Sequence, residues 1–245
     1  LDPLTLFDQS CSALQSIIFS KIRIHLPWDK DRGDVLKLPT GIPTSPFSAS
    51  SSGVSEIILA STSVYRRELV RRLLPDVSCM APGLDEDAFY EASITPDQLA
   101  TRLAYEKANA IATRNPHAVV IGSDQLVDLD GRVLGKPGTA AAAVSQLLAM
   151  SGRAHRLLTA VCVIGFGRKI EFLNETQLHM RAVSQEEATR YVERDSPLDC
   201  AGSYRIESLG ISLFDRIQTD DFTAIMGLPL LRLSQVLREL GVAIP

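Results

Sequence analysis

The residues best suited to chemistry lie in EIILASTSVYRRELV, residues 56–70. An apolar run, Ile57-Ile58-Leu59-Ala60, breaks into Ser61-Thr62-Ser63, passes Tyr65 and enters a helix-like segment opening with Arg66-Arg67. A buried strand that ends in small hydroxyl residues at a helix N-terminus offers backbone N–H groups, a favourable dipole and hydroxyl donors. Two arginines in a first turn oppose the helix dipole, which favours carboxylates there. They make sense where an anion is to be held, and the guanidinium fork suits phosphate.

Five further residues could complete such a site. Asp124 follows the apolar strand of residues 117–122 in Gly122-Ser123-Asp124-Gln125, at what reads as its carboxyl end, where α/β sheets gather catalytic groups. A turn or helix-cap aspartate fits the same pattern. Lys107 falls on one helical stripe with Leu99, Leu103 and Ile111, either snorkelling from the edge or pointing its ammonium into a cleft. Lys136 is set between Gly135 and Pro137, as a surface turn lysine or a phosphate contact. Asp85-Glu86 reads as a solvated pair at a helix start, or as hard oxygen ligands for Mg²⁺, which takes one or two carboxylates plus substrate phosphates.

The elements that must position these residues alternate between strand and helix from residue 55 onward. Thr95 and Gln98 form a capping box with Pro96 at the first helical position of 96–113. Residues 129–132 signal a hairpin, and 139–150 an alanine-rich helix. Residues 157–164 and 171–180 read as strands, Ser184 with Glu187 caps a helix to about 194, and Pro229 opens a last one to 240. The Asp220-Asp221 pair before that helix could assist the site, but fits better as a cap. The class is α/β with a mixed sheet.

Residues 1–54 differ. Six residues of Pro or Gly between 27 and 46 lead into a serine-rich tract, the composition of a largely disordered extension. Asp2 and Asp8 argue against a transit peptide. A net charge of −4 speaks against a nucleic-acid-binding surface, and no apolar run reaches the roughly 20 residues of a membrane helix. Cys11, Cys79, Cys162 and Cys200 are widely spaced, which fits a reduced, cytoplasmic setting. His117, His155 and His179 give no metal-site spacing.

Taken in register, ASTSVYRRELV, LDED, LAYEKA, GSDQ, GKP, SGRAH, DCAGSYRIESLG and IMGLPLLRL resemble the Maf family of nucleoside triphosphate pyrophosphatases over about residues 55–240. The resemblance implies an elongated mixed sheet with flanking helices, two lobes around a nucleotide cleft, and often a homodimer. It implies hydrolysis of a nucleoside triphosphate to the monophosphate and diphosphate with a divalent cation, Mg²⁺ or Mn²⁺. Carried over, Asp124 is the general base, Ser61, Arg66, Lys107 and Lys136 contact phosphates with Arg67 assisting, and Glu86 with Asp124 serves the metal. Water attacks the α-phosphorus while charge builds on diphosphate, so positioning and cations carry most of the catalysis.

Three positions distinguish subgroups of the family. Where dTTP/UTP-type enzymes typically carry Arg, Thr and Gln, this chain has Tyr65, Gln125 and Glu207, which resembles the subgroup acting on 7-methyl-GTP. N7-methylation makes guanine cationic and favours stacking on an electron-rich ring. A carboxylate can accept from guanine N1–H and the N2 amino group. A dTTP/UTP-type or broader modified-nucleotide pyrophosphatase, and a nucleotide-responsive regulator of septum formation, are the alternatives.

Overall fold

The computed structural model describes residues 56–91 and 93–244, so the expectations for residues 1–54 lie outside the described residues. The strands are β1 (Ile57–Leu59), β2 (Ser78–Cys79), β3 (Val119–Leu129), β4 (Arg132–Leu134), β5 (Ala154–Gly165), β6 (Arg168–Met180) and β7 (Phe214–Gln218). They form one mixed sheet in the order β2-β1-β3-β5-β6-β7, with β4 paired to β3. β1 runs parallel to β2 and β3, and the other pairings are antiparallel. The expected α/β class with a mixed sheet is what the chain adopts.

Local sequence accounts for most of the element ends. Helix α1 (Val64–Arg71) is capped by the Ser63 hydroxyl, which accepts from Arg66 N–H. Helix α2 (Pro96–Ala112) starts with the Thr95/Gln98 capping box, and Thr139 caps α3 (Ala140–Met150). Helix α4 (Gln185–Asp195) starts with the Ser184/Glu187 box, and Asp221 caps the short α5 (Phe222–Ile225). The Asp221 carboxylate also accepts from Leu231 N–H at the start of α6 (Leu230–Glu239). Asp130 and Gly131 both have positive φ, the geometry of a two-residue hairpin turn joining β3 to β4. Phe166-Gly167 repeats it, and the resulting β5–β6 hairpin pairs from Gly165↔Arg168 to Ala154↔His179, making both strands longer than the sequence suggested.

The alternation of β3 places its two faces in different environments. Val120 and Leu126 pack with α2, in a cluster that includes Leu99, Leu103 and Ile111. Each of those three helix residues is at most 1% exposed, and removal from water stabilises by roughly 1.5–3 kcal/mol per side chain. The opposite face carries two cores. Val119 and Ile121 join α1 and α6, while Val127 and Leu129 join α3 and α4. Met226 packs against both cores, marking the boundary between the two lobes.

Gly122 sets how closely α2 lies on the sheet. A Cβ there would stand 2.3 Å from the Ala104 carbonyl oxygen and 2.6 Å from Ala108 N. Only glycine admits helix backbone this near to strand backbone. Gly122 and Asp124 share the α2 face of the strand, so the same close approach brings Lys107 down onto Asp124.

Candidate active site

Pairing to β1 ends at Ile121, and pairing to β4 begins at Val127. Between them, residues 122–126 of β3 have no strand neighbour on that edge among the described residues, although the other edge stays paired to β5 throughout. The sheet therefore has a notch, and a cleft of about 810 Å³ opens there. One flank is the end of β1 and the start of α1, with Ser61, Tyr65 and Arg66; the other includes Gly135 and Lys136 just after β4. Asp124 and Gln125 lie at its floor.

This corrects the expectation that Asp124 follows its strand. Asp124 is mid-strand, opposite Ala160 of β5, because the antiparallel β3–β5 ladder continues long after β1 has stopped. The polar run Ser123-Asp124-Gln125 hid that continuation. Asp124 does stand just past the carboxyl end of β1, so the site still lies at a strand end, that of its neighbour.

Lys107 is 6% exposed and Asp124 4%. The Lys107 Nζ lies 2.6 Å from Asp124 Oδ1 and 2.7 Å from Glu86 Oε1. Of the two readings of Lys107, the ammonium in a cleft is the one realised, and it is engaged by both carboxylates rather than left free for a phosphate. A buried ion pair is stabilising only with good geometry and further partners. Here Asp124 Oδ2 is buried and has no hydrogen-bond partner among the described residues. Burial works to raise the Glu86 carboxyl, but Lys107, Lys136 and Arg66 outweigh it and hold it below the usual carboxylate range.

Arg66 Nε donates to the Gly227 carbonyl at 3.0 Å. Burial lowers its proton affinity, and the nearby Asp124 and Glu86 charges oppose that loss. The Ser123 hydroxyl donates to the same Gly227 carbonyl, also at 3.0 Å. Gly227 has φ +108, and a Cβ there would press within 3.3 Å of Arg66 Nε. Ser61 Oγ accepts from Ser63 N–H and keeps its own proton to donate. Helix geometry leaves the first N–H groups of α1 without an intrahelical acceptor. Arg67 is different: it is half-buried but does not line the cleft. Arg67 is turned about 100° from Arg66 around the axis of α1, and its side chain falls outside the cleft that Tyr65 and Arg66 line.

Tyr65, Gln125 and Glu207 all line the cleft. Gln125 Nε2 is occupied by Thr159 Oγ1 and the Ala224 and Ile225 carbonyls, so its amide is oriented with only Oε1 left for a ligand. Tyr65 OH accepts from Arg205 Nη1 at 3.3 Å. Arg205 and Tyr90 also line the cleft, and neither was singled out from the sequence. Arg205 precedes a turn at residues 206–208, and no periodicity marked it. Tyr90 follows the turn bearing Glu86, and no pattern marked it. Cys200 also lines the cleft, and burial first, then Asp199, pushes its thiol up to about 12.

The two carboxylates already converge on one positive centre, and Asp124 has an orphaned oxygen beside it. That donor set fits a small hard divalent cation completed by substrate phosphates. Among the described residues no cluster of three or more His, Cys, Asp or Glu could hold a metal without such help. No helix of the described residues is long and apolar enough to cross a membrane.

Comparison with known proteins bears on the family of the chain. Residues 56–240 match the model of the "Maf-like protein" family. A "7-methyl-GTP pyrophosphatase" of Xanthomonas oryzae pv. oryzae is 51% identical over 189 residues, covering 77% of this chain and 98% of the relative. A protein of the same name from Bdellovibrio bacteriovorus is 46% identical over 184 residues, covering 75% and 96%. Among solved structures, a HAM1 protein from Coxiella burnetii aligns with TM-score 0.40 and 16% identity over 75% of this chain and 98% of that one. With the motifs in register around one notch, and half the residues shared with relatives along nearly their whole length, this chain belongs to the Maf-like protein family.

Proposed function

We propose that this protein hydrolyses 7-methyl-GTP to 7-methyl-GMP and diphosphate, removing a modified nucleotide before it can enter nucleic acid. The observation that carries the reading is one cleft holding both the Lys107–Asp124–Glu86 cluster and the trio Tyr65, Gln125 and Glu207. The names of the relatives from Xanthomonas and Bdellovibrio support it. A cytoplasmic homodimer is part of the same proposal.

In this mechanism the triphosphate lies against the N-terminus of α1, with Arg66, Lys136 and the Ser61 hydroxyl as its donors. Asp124 and Glu86 are the residues that would hold a Mg²⁺ or Mn²⁺ ion. Such an ion supplies Lewis-acid stabilisation of the phosphates and lowers the proton affinity of the attacking water. Asp124 orients that water and takes its proton at Oδ2. Lys107 keeps the Asp124 carboxylate aimed, and it lies close enough to meet charge developing on the phosphates. At the other end, the Tyr65 ring gives the cationic base an electron-rich face. Gln125 Oε1 and the Glu207 carboxylate are both acceptors, matching the N1–H and N2 amino donors of guanine.

Diphosphate release is to be measured with 7-methyl-GTP, GTP, UTP and dTTP in Mg²⁺. The 7-methyl nucleotide is expected to have the highest kcat/KM. Faster turnover of UTP or dTTP would assign the chain to the pyrimidine type, and nucleotide binding without diphosphate release would favour a regulator.

A further inference from the structure

Asp195 is the last residue of α4 and is 3% exposed. A carboxylate at this position opposes the helix dipole, whose C-terminal end favours cations, so the stability of α4 itself gives no reason for it. Its partners lie elsewhere. Oδ1 accepts from Arg205 Nη2 at 2.9 Å and from Ser208 Oγ at 2.5 Å. Oδ2 accepts from Tyr191 OH at 2.8 Å, and that phenol oxygen in turn accepts from Arg205 N–H at 3.0 Å. Arg205 Nη2 also donates to the Asp195 carbonyl. Burial would raise the Asp195 carboxyl, and the bonds from Ser208, Tyr191 and Arg205 outweigh it and hold it low.

These bonds have one common effect. Residues 205 and 208 are fixed to the same carboxylate oxygen, and Glu207 sits between them, exposed and at the cleft. The guanidinium fixed by Asp195 reaches, through Nη1, the hydroxyl of Tyr65 on the opposite element. The ring that would face the base and the carboxylate that would read its edge are thus tied to one buried group outside the cleft. Charged hydrogen bonds of this kind hold geometry more firmly than neutral ones. The phosphate-binding and catalytic residues are not part of this network.

We infer that Asp195 is a positioning residue for base discrimination, setting Glu207 and Tyr65 relative to one another through Arg205 and Ser208. The inference rests on the proposed reading of the cleft as a nucleotide site. Substitution at Asp195 should therefore impair choice between bases and leave hydrolysis of the triphosphate largely intact.

The test is a double-mutant cycle between Asp195→Asn and Glu207→Gln, reading kcat and KM for 7-methyl-GTP and UTP. Asp195→Asn should lower the 7-methyl-GTP/UTP ratio of kcat/KM on the order of tenfold, mostly through KM, with kcat within about twofold. In the Glu207→Gln background the same change should have a clearly smaller effect on the ratio, the part carried by Tyr65 alone. Ser208→Ala, which removes one hydrogen bond at an exposed residue, should shift the ratio the same way by less, and serves if Asp195→Asn does not fold. An unchanged ratio with a lowered unfolding temperature would overturn the inference, as would an equal loss in both backgrounds. If the wild-type enzyme prefers another nucleotide, the 7-methyl-GTP reading fails, while the cycle run on the preferred base still decides the role of Asp195.

Discussion

Replacing Gly122 by alanine tests how far the catalytic pair depends on backbone approach. The new Cβ would lie 2.3 Å from the Ala104 carbonyl oxygen and 2.6 Å from Ala108 N, both backbone atoms of α2 that no rotamer change can move. An ordinary carbon–oxygen contact is about 3.3–3.6 Å, so helix and strand must separate by roughly 1 Å. Strain of this kind costs about 1–3 kcal/mol. The same displacement would stretch the 2.6 Å Lys107–Asp124 contact beyond hydrogen-bond range. Misplacement by about 1 Å can cost on the order of 10²-fold in rate. The expected result is a folded Gly122→Ala protein with kcat for diphosphate release lowered about 10²-fold and a modestly lower unfolding temperature. A variant that keeps kcat within twofold of wild type would refute the dependence of the site on this contact, whatever its stability.

Asp124→Asn should keep the fold but lower kcat by about 10²–10⁴-fold, the usual range for loss of a general base, measured by diphosphate release. Chelation should abolish turnover and added Mg²⁺ or Mn²⁺ should restore it, with circular dichroism unchanged, because the described core needs no metal. Arg67→Ala should leave KM within about twofold, since Arg67 does not line the cleft, whereas Arg66→Ala should raise it at least tenfold. His155 is 4% exposed, and burial first, then His179, pushes its pKa down to about 4. The unfolded chain therefore binds the additional proton between the ordinary value near 6.5 and about 4, so stability is full above that window and is lost as pH falls through it. The loss amounts to roughly 3 kcal/mol, and thermal melts of His155→Phe should lack that portion of the pH dependence.

The helices were legible because their ends carry local chemistry: both capping boxes, the Asp221 cap and the hairpin at Asp130-Gly131 are readable over four residues. The placement of Ser61 and Arg66 in the cleft was legible for the same reason, since both lie beside one helix start. What the sequence concealed depends on contacts between distant segments. Nothing local says that β3 runs on to Leu129 after β1 stops, and that alone moved Asp124 from a strand end to mid-strand. The choice between a snorkelling and an inward Lys107 rests on how near Gly122 lets α2 come. Arg66 and Arg67 are chemically alike, and only the rotation of α1 separates them. Asp195 and Arg205 are ten residues apart in a stretch whose pairing no periodicity announces.

The unpaired edge of β3 also bears on self-association. A strand edge with open N–H and C=O groups is a template on which another chain can polymerise. At residues 122–126 the open edge is bounded by β1 at one end and β4 at the other, so a foreign strand extending past the notch would collide with one or the other. The notch can thus stay open toward a small solute without offering a long edge to a neighbouring strand.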